Sequence, residues 1–228
     1  MPVAPDLDAF RACYRDGRAQ VVWTNLVADL ETPVSAMLKI ADGRPYSFLL
    51  ESVEGGAVRG RYSAIGLKPD VIWRCRRDRV EVNRRARFDP DAYEPVPAPP
   101  LDSLRALIAE SRIDLPDELP PIAAGLFGYL GYDMVRQMER IPDANPDTLG
   151  VPDGVLVRPT VMAVFDTIED LVTIVTPVWP QDGVGADAAY RQARERLSDV
   201  VADFERSLPY RRERAASIGA LPEPVSNM

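Results

Sequence analysis

Apolar and polar residues alternate along this chain in short runs, and the period of each run predicts its element. Phe10, Cys13 and Tyr14 recur at helical spacing between Asp8 and Arg15, with Asp6 or Asp8 as cap and Gly17 as stop. Gln20 to Leu26 is rich in β-formers and predicts a strand. Thr32-Pro33 reads as an N-cap followed by proline at the first helical position, opening a helix to about Ile40. The turn Asp42-Gly43-Arg44-Pro45 then delivers the chain into Ser47-Phe48-Leu49-Leu50-Glu51-Ser52.

That run ends abruptly in a carboxylate and a hydroxyl. A Gly55-Gly56 turn and a second β-leaning run, Arg61-Tyr62-Ser63-Ala64-Ile65-Gly66, follow it, so two strands are predicted with Glu51 and Ser52 at a strand end. Period two puts Phe48, Leu50 and Ser52 on one face and Leu49 and Glu51 on the other, unless a bulge re-aims one of them. Such a corner can hold a small amphiphile. Apolar side chains form its floor, a hydroxyl and strand-end amides serve a carboxylate, and a nearby acid serves an ammonium. It can equally be a solvated turn. Arg61, on the facing strand, offers its donors either to a ligand carboxylate or to a structural ion pair.

Further along, Asp70 to Phe88 predicts a hairpin with arginine on its exposed face. Seven arginines lie between Arg74 and Arg87 against two acids, which fits a phosphate patch or a solvated hairpin; no aromatic stacking platform is interleaved. Asp89 to Pro100 is a proline-rich connector, and Leu101 to Ile113 restores helical spacing through Leu104, Leu107 and Ile108. Ala123 to Tyr132 is an aromatic run punctuated by Gly125, Gly128 and Gly131; the spacing is not a dinucleotide fingerprint and reads as a strand with close backbone packing. One or two helical turns follow at Tyr132 to Met138. Val155 to Asp166 and Asp170 to Val178 predict an antiparallel hairpin, and Ala186 to Leu208 the longest helix, with Tyr190, Ala193, Leu197, Val200 and Phe204 on one face. Tyr210 to Met228 has little periodicity and reads as a linker.

Without a βαβ rhythm, these elements imply an α+β fold with mostly antiparallel sheet and peripheral helices. The chain has 228 residues, is 46% hydrophobic and carries a formal charge of -8, enough apolar residue for a sizeable core and the wrong sign for nucleic acid or anionic membrane. No apolar run approaches the roughly 18 residues of a membrane span, and Met1 to Asp6 lacks the pattern of a signal peptide, so a cytoplasmic location is expected. There is no histidine, which excludes a Ser-His-Asp triad and a Cys/His zinc set; Cys13 and Cys75 read as isolated thiols.

Leu49-Leu50-Glu51-Ser52 followed by Gly60-Arg61-Tyr62-Ser63-Ala64-Ile65-Gly66 resembles the N-terminal region of anthranilate synthase component I. Val22-Trp23-Thr24 through Glu31-Thr32-Pro33-Val34-Ser35-Ala36 is similar to that family's opening, and Gly125-Leu126-Phe127-Gly128-Tyr129-Leu130-Gly131-Tyr132-Asp133 to its next motif, in the same order. The resemblance implies an N-terminal lobe in which two antiparallel sheets pack face to face, residues 1–208 forming a tryptophan-feedback domain and 209–228 a linker. It implies that Ser52 contacts an L-tryptophan effector, with Glu51 and Leu50 as its neighbours. It further implies that the chorismate-binding module, with its magnesium-binding glutamates, lies after Met228, so that this chain holds no Mg2+, carries no catalytic residue and is inactive alone. A glutamine amidotransferase subunit would be the partner of the full enzyme, and a homo-oligomer is possible. Aminodeoxychorismate synthase component I, a relative of the same architecture, and a stand-alone small-molecule sensor stay open as alternatives.

Overall fold

A computed structural model of the chain describes residues 2–27, 29–54, 58–142 and 146–208, with the backbone alone at 52–54 and 58–59. Helix α1 (Leu7–Arg15) starts where Asp6 accepts a hydrogen bond from the Ala9 amide at 2.8 Å. Helix α2 (Pro33–Ile40) begins at a reciprocal cap, the Thr32 side chain accepting from the Ser35 amide and Ser35 Oγ from the Thr32 amide, with Pro33 in the first turn where its missing N–H costs nothing. Helices α3 (Pro100–Glu110) and α4 (Ala186–Phe204) complete the set.

The strands are β1 (Gln20–Val27), β2 (Phe48–Glu54), β3 (Val58–Arg76), β4 (Arg79–Asn83), β5 (Glu94–Val96), β6 (Phe127–Leu130), β7 (Gly154–Asp166) and β8 (Leu171–Val178). All their pairings are antiparallel, and they join one sheet in the order β1-β8-β7-β3-β4-β5, with β2 added to β3 and β6 to β7. The fold is thus α+β with peripheral helices, as the spacing predicts. The two sheets implied by the resemblance are continuous with one another: β3 and β7 run through both halves, one half completed by β1, β8 and β2 and the other by β4, β5 and β6.

The halves meet at a bulge. Pro69 stands opposite Pro159, so neither can donate to the ladder there, and the register slips by one residue before Val71 pairs with Arg158. Lys68 reaches this point with φ at 51°, a left-handed conformation that a lysine adopts only under constraint. Because side chains alternate with period two, the extra residue moves Val71, Trp73 and Cys75 to the face opposite Ile65 and Leu67.

The core divides accordingly. On one face, Phe10 and Tyr14 of α1, Ala36 and Ile40 of α2, and Ala193, Leu197 and Val200 of α4 close over Ile65, Leu67, Val161, Ala163 and Ile174. On the other, Ala64, Met162, Val164 and Val175 lie under Leu119 and Ala123 in one half, while Trp73 and Val80 lie under Leu104 and Leu107 of α3 in the other. The Trp73 indole N–H donates to Ser103 Oγ at 3.1 Å, which satisfies a donor that burial would otherwise strand. Residues 209–228, read from sequence as a linker, lie outside the described residues.

Candidate functional site

The corner singled out by sequence forms where β2 leaves β3. Phe48, Leu49, Leu50 and Glu51 pair in order with Gly66, Ile65, Ala64 and Ser63; beyond Glu51 the register slips, and Val53 pairs with Arg59. Gly60, Arg61 and Tyr62 therefore stand against the single residue Ser52. A bulge of this kind ends regular pairing and turns the strand end away from its partner. The side chain of Ser52 lies outside the described residues.

Leu50 shares a face with Phe48, and Glu51 shares the other with Leu49, which packs on the helix-covered core. Leu50 and Glu51 are both exposed at the sheet margin, Leu50 by 46%. The regular part of the strand thus presents the two neighbours of Ser52 on opposite faces, as period two predicts. Phe48 fixes the height of the floor: its ring covers Gly66, where a β-carbon would come within 2.2 Å of Phe48 Cζ, and lies 4.9 Å from the Phe127 ring. A side chain larger than hydrogen at position 66 would expel that ring.

Arg61 is committed to a partner. Its guanidinium forks onto Asp166, Nε at 3.1 and 3.0 Å from the two carboxylate oxygens and Nη2 at 2.7 Å, and the Thr167 amide donates to the Arg61 carbonyl. The Asp166 carboxyl is held below the usual carboxylate range first by that guanidinium and then by the Ile168 and Glu169 amides. Of the two roles the sequence leaves open for Arg61, the structural ion pair is the one formed. Asp166 was missed in the sequence because it sits 105 residues away; its place at the start of the Thr167-Ile168-Glu169 turn was the available signal.

Two arginines of the hairpin run have carboxylate partners. Arg74 pairs with Glu81 at 2.7 Å and lies 3.5 Å over the Tyr93 ring, and Arg84 forks onto Glu110 at 2.6 and 2.8 Å. The third motif, around Gly128, pairs β6 with the start of β7. A β-carbon on Gly128 would lie 1.9 Å from the Val155 carbonyl oxygen, so only glycine permits that approach. Beside it Leu104, Ile108, Leu126, Leu130 and Leu156 line an apolar groove of about 440 Å³. Both cysteines are free, and burial pushes the Cys75 thiol up to about 11. Among the described residues no three carboxylate or thiol side chains converge as a divalent cation would require. No helix among them is long and apolar enough to cross a membrane.

No family model matches the chain. Curated relatives do. It is 53% identical over 206 residues to anthranilate synthase component 1 of Cereibacter sphaeroides, covering 90% of this chain and 41% of that protein. The chain is homologous to anthranilate synthase component I. The protein of that name from Synechocystis is 35% identical over 211 residues, 91% of this chain and 40% of its own length, and that of Thermus thermophilus is 39% identical over 178 residues, 75% and 34%. The chain thus spans about two fifths of the length of the first two relatives. A crystal structure of anthranilate synthase component I from Streptococcus pneumoniae superposes with a TM-score of 0.50 at 21% identity over 81% of this chain and 37% of that one, a likeness of fold.

Proposed function

We propose that this chain is the N-terminal regulatory portion of an anthranilate synthase component I, and that Leu50, Glu51 and Ser52 supply one side of an L-tryptophan effector site. The observation that carries this reading is the slip in the β2–β3 ladder at Ser52, because it ends regular strand pairing at the serine of the Leu-Leu-Glu-Ser motif. A strand end of this kind offers backbone amides to a carboxylate, and exposed Leu50 offers apolar surface to a ring. Arg61 is not given a ligand role, since Asp166 occupies its donors.

The reaction of the full enzyme, conversion of chorismate and ammonia to anthranilate and pyruvate with Mg2+, belongs in this reading to the remaining three fifths of component I, with ammonia supplied by a glutamine amidotransferase partner. This portion binds and reports; it does not catalyse. Incubated alone with chorismate, ammonia and Mg2+, the 228-residue chain is expected to produce no anthranilate fluorescence above a protein-free control. Calorimetry with L-tryptophan should show at least about tenfold weaker binding to this chain than to full-length component I, because the other wall of the site is absent and each factor of ten is only about 1.4 kcal/mol. Turnover by the chain alone, or tryptophan binding of full strength, would contradict the division of roles.

A further inference from the structure

Where the bulge at Asp70 bends β3 beneath α4, a cavity of about 50 Å³ is lined by Asp70, Arg87, Thr160, Trp179, Gln192 and Arg196. Its charges do not cancel. Asp70 is the carboxylate of the set, and it is already held by the fork of Arg158, Nε at 2.9 Å and Nη2 at 3.0 Å. Arg158 in turn lies 4.1 Å from the centre of the Trp179 ring.

Arg196 sits among Ala193, Leu197 and Val200 on the inward side of α4, an unusual place for a guanidinium. Its Nε donates to Thr176 Oγ1 at 2.8 Å, and that fully buried hydroxyl donates to the Thr160 carbonyl at 2.9 Å. This chain fixes one edge of the guanidinium. No carboxylate among the described residues pairs with Arg196. Burial, and then repulsion from Arg87, depress its affinity for a proton to a value about 10. Trp179 adds a second unmet requirement: its indole N–H is buried and has no acceptor among the described residues. Two guanidinium groups line the cavity, its one carboxylate is already held by Arg158, and an indole donor is orphaned, which leaves an excess of positive charge and of hydrogen-bond donors; those of Arg196 and Trp179 are costly to bury unanswered.

We propose that this cavity is a binding site for one small anion, of halide or carboxylate size, held by Arg196 and Arg87 with the Trp179 N–H as a further donor. The volume suits one small anion: it exceeds the least space that holds a single water, about 10–15 Å³. The anion joins α4 to β8 and to the bend of β3, so binding stabilises the folded chain by mass action.

Chloride is the probe. In the 228-residue chain, ³⁵Cl line broadening is expected to saturate with protein and to be reversed by formate, and the thermal midpoint should rise with sodium chloride above its value in sodium gluconate of equal ionic strength. Both effects should weaken about tenfold or more in Arg196→Gln, as when one partner of a buried charge contact is removed. Arg87→Gln, on an exposed side chain that leaves the fold intact, should weaken them as well, and Arg196→Lys should retain part. Equal midpoints in chloride and gluconate with no broadening would show a cavity filled by water alone. Broadening unchanged in both Gln variants would place the chloride elsewhere, and either result overturns the proposal.

Discussion

On the face covered by α1, α2 and α4, Phe10, Ile40, Ile65 and Leu197 have no exposed surface, whereas on the opposite face Leu50 is 46% exposed and Leu130 50%. The same strands serve both faces, so the difference lies in what is laid over them. Three amphipathic helices seal one side. The other is finished by α3, by the loop through Leu119 and Ala123 and by short helical turns, and it keeps an apolar groove beside Leu130. The sealed face buries its apolar side chains more completely, so more of the stability resides there.

The largest expected effect therefore belongs to the sealed face. Leu197→Ala removes a fully buried side chain beneath α4 and should cost about 2–5 kcal/mol in urea unfolding. Next comes Gly128→Ala, whose new methyl would meet the Val155 carbonyl; about 1–3 kcal/mol is expected, with faster amide exchange in β6 than in β8. A loss confined to β6 would sharpen the comparison by showing that the open face unravels separately. An equal loss of protection in β8 would show the two faces to be one unit.

Smaller still is the pin between the halves of the corner. The folded Asp166 carboxyl titrates below its unfolded value, so the stability it contributes is complete above the unfolded range near ~3.9 and is lost as pH falls through the folded value. Asp166→Asn should flatten the acid limb of the urea midpoint below about pH 4 and leave the midpoint near pH 7 lower than wild type. An acid limb unchanged in the variant would mean that Arg61 does not hold Asp166 in solution. Leu50→Ala comes last, within about 0.5 kcal/mol, because the side chain is half exposed already. A cost approaching that of Leu197→Ala would erase the distinction between the faces.

Much of this architecture is legible from local signals. Thr32-Pro33 specifies the start of α2, the alternation from Val155 to Val178 specifies the central hairpin, and the apolar stripe of α4 specifies its buried side. What is not legible is long-range. The run ending at Gly66 and the hairpin from Asp70 read as separate elements, yet β3 passes through Pro69 for 19 residues because Pro159 faces it and the bulge absorbs the lost hydrogen bonds. Arg61 reads as a donor in search of an acid, and only the pairing of β3 with β7 reveals which one. Arg87 and Arg196 carry no common motif; the fold alone brings them to one cavity. At the corner, period two correctly separates Leu50 from Glu51, while the position of the slip opposite Ser52 depends on three residues of β3 that no spacing rule singles out.

The central claim is that the β2–β3 corner is one wall of an effector site and takes no part in the chemistry. It is tested most directly by anthranilate formation against rising L-tryptophan in a full-length component I carrying this region, wild type and Ser52→Phe compared at equal protein. The account predicts that Ser52→Phe turns over at close to the uninhibited wild-type rate and holds that rate through tryptophan concentrations that silence wild type, because a ring at the strand end fills the space the effector needs. Inhibition of Ser52→Phe at the same tryptophan concentration as wild type would contradict it.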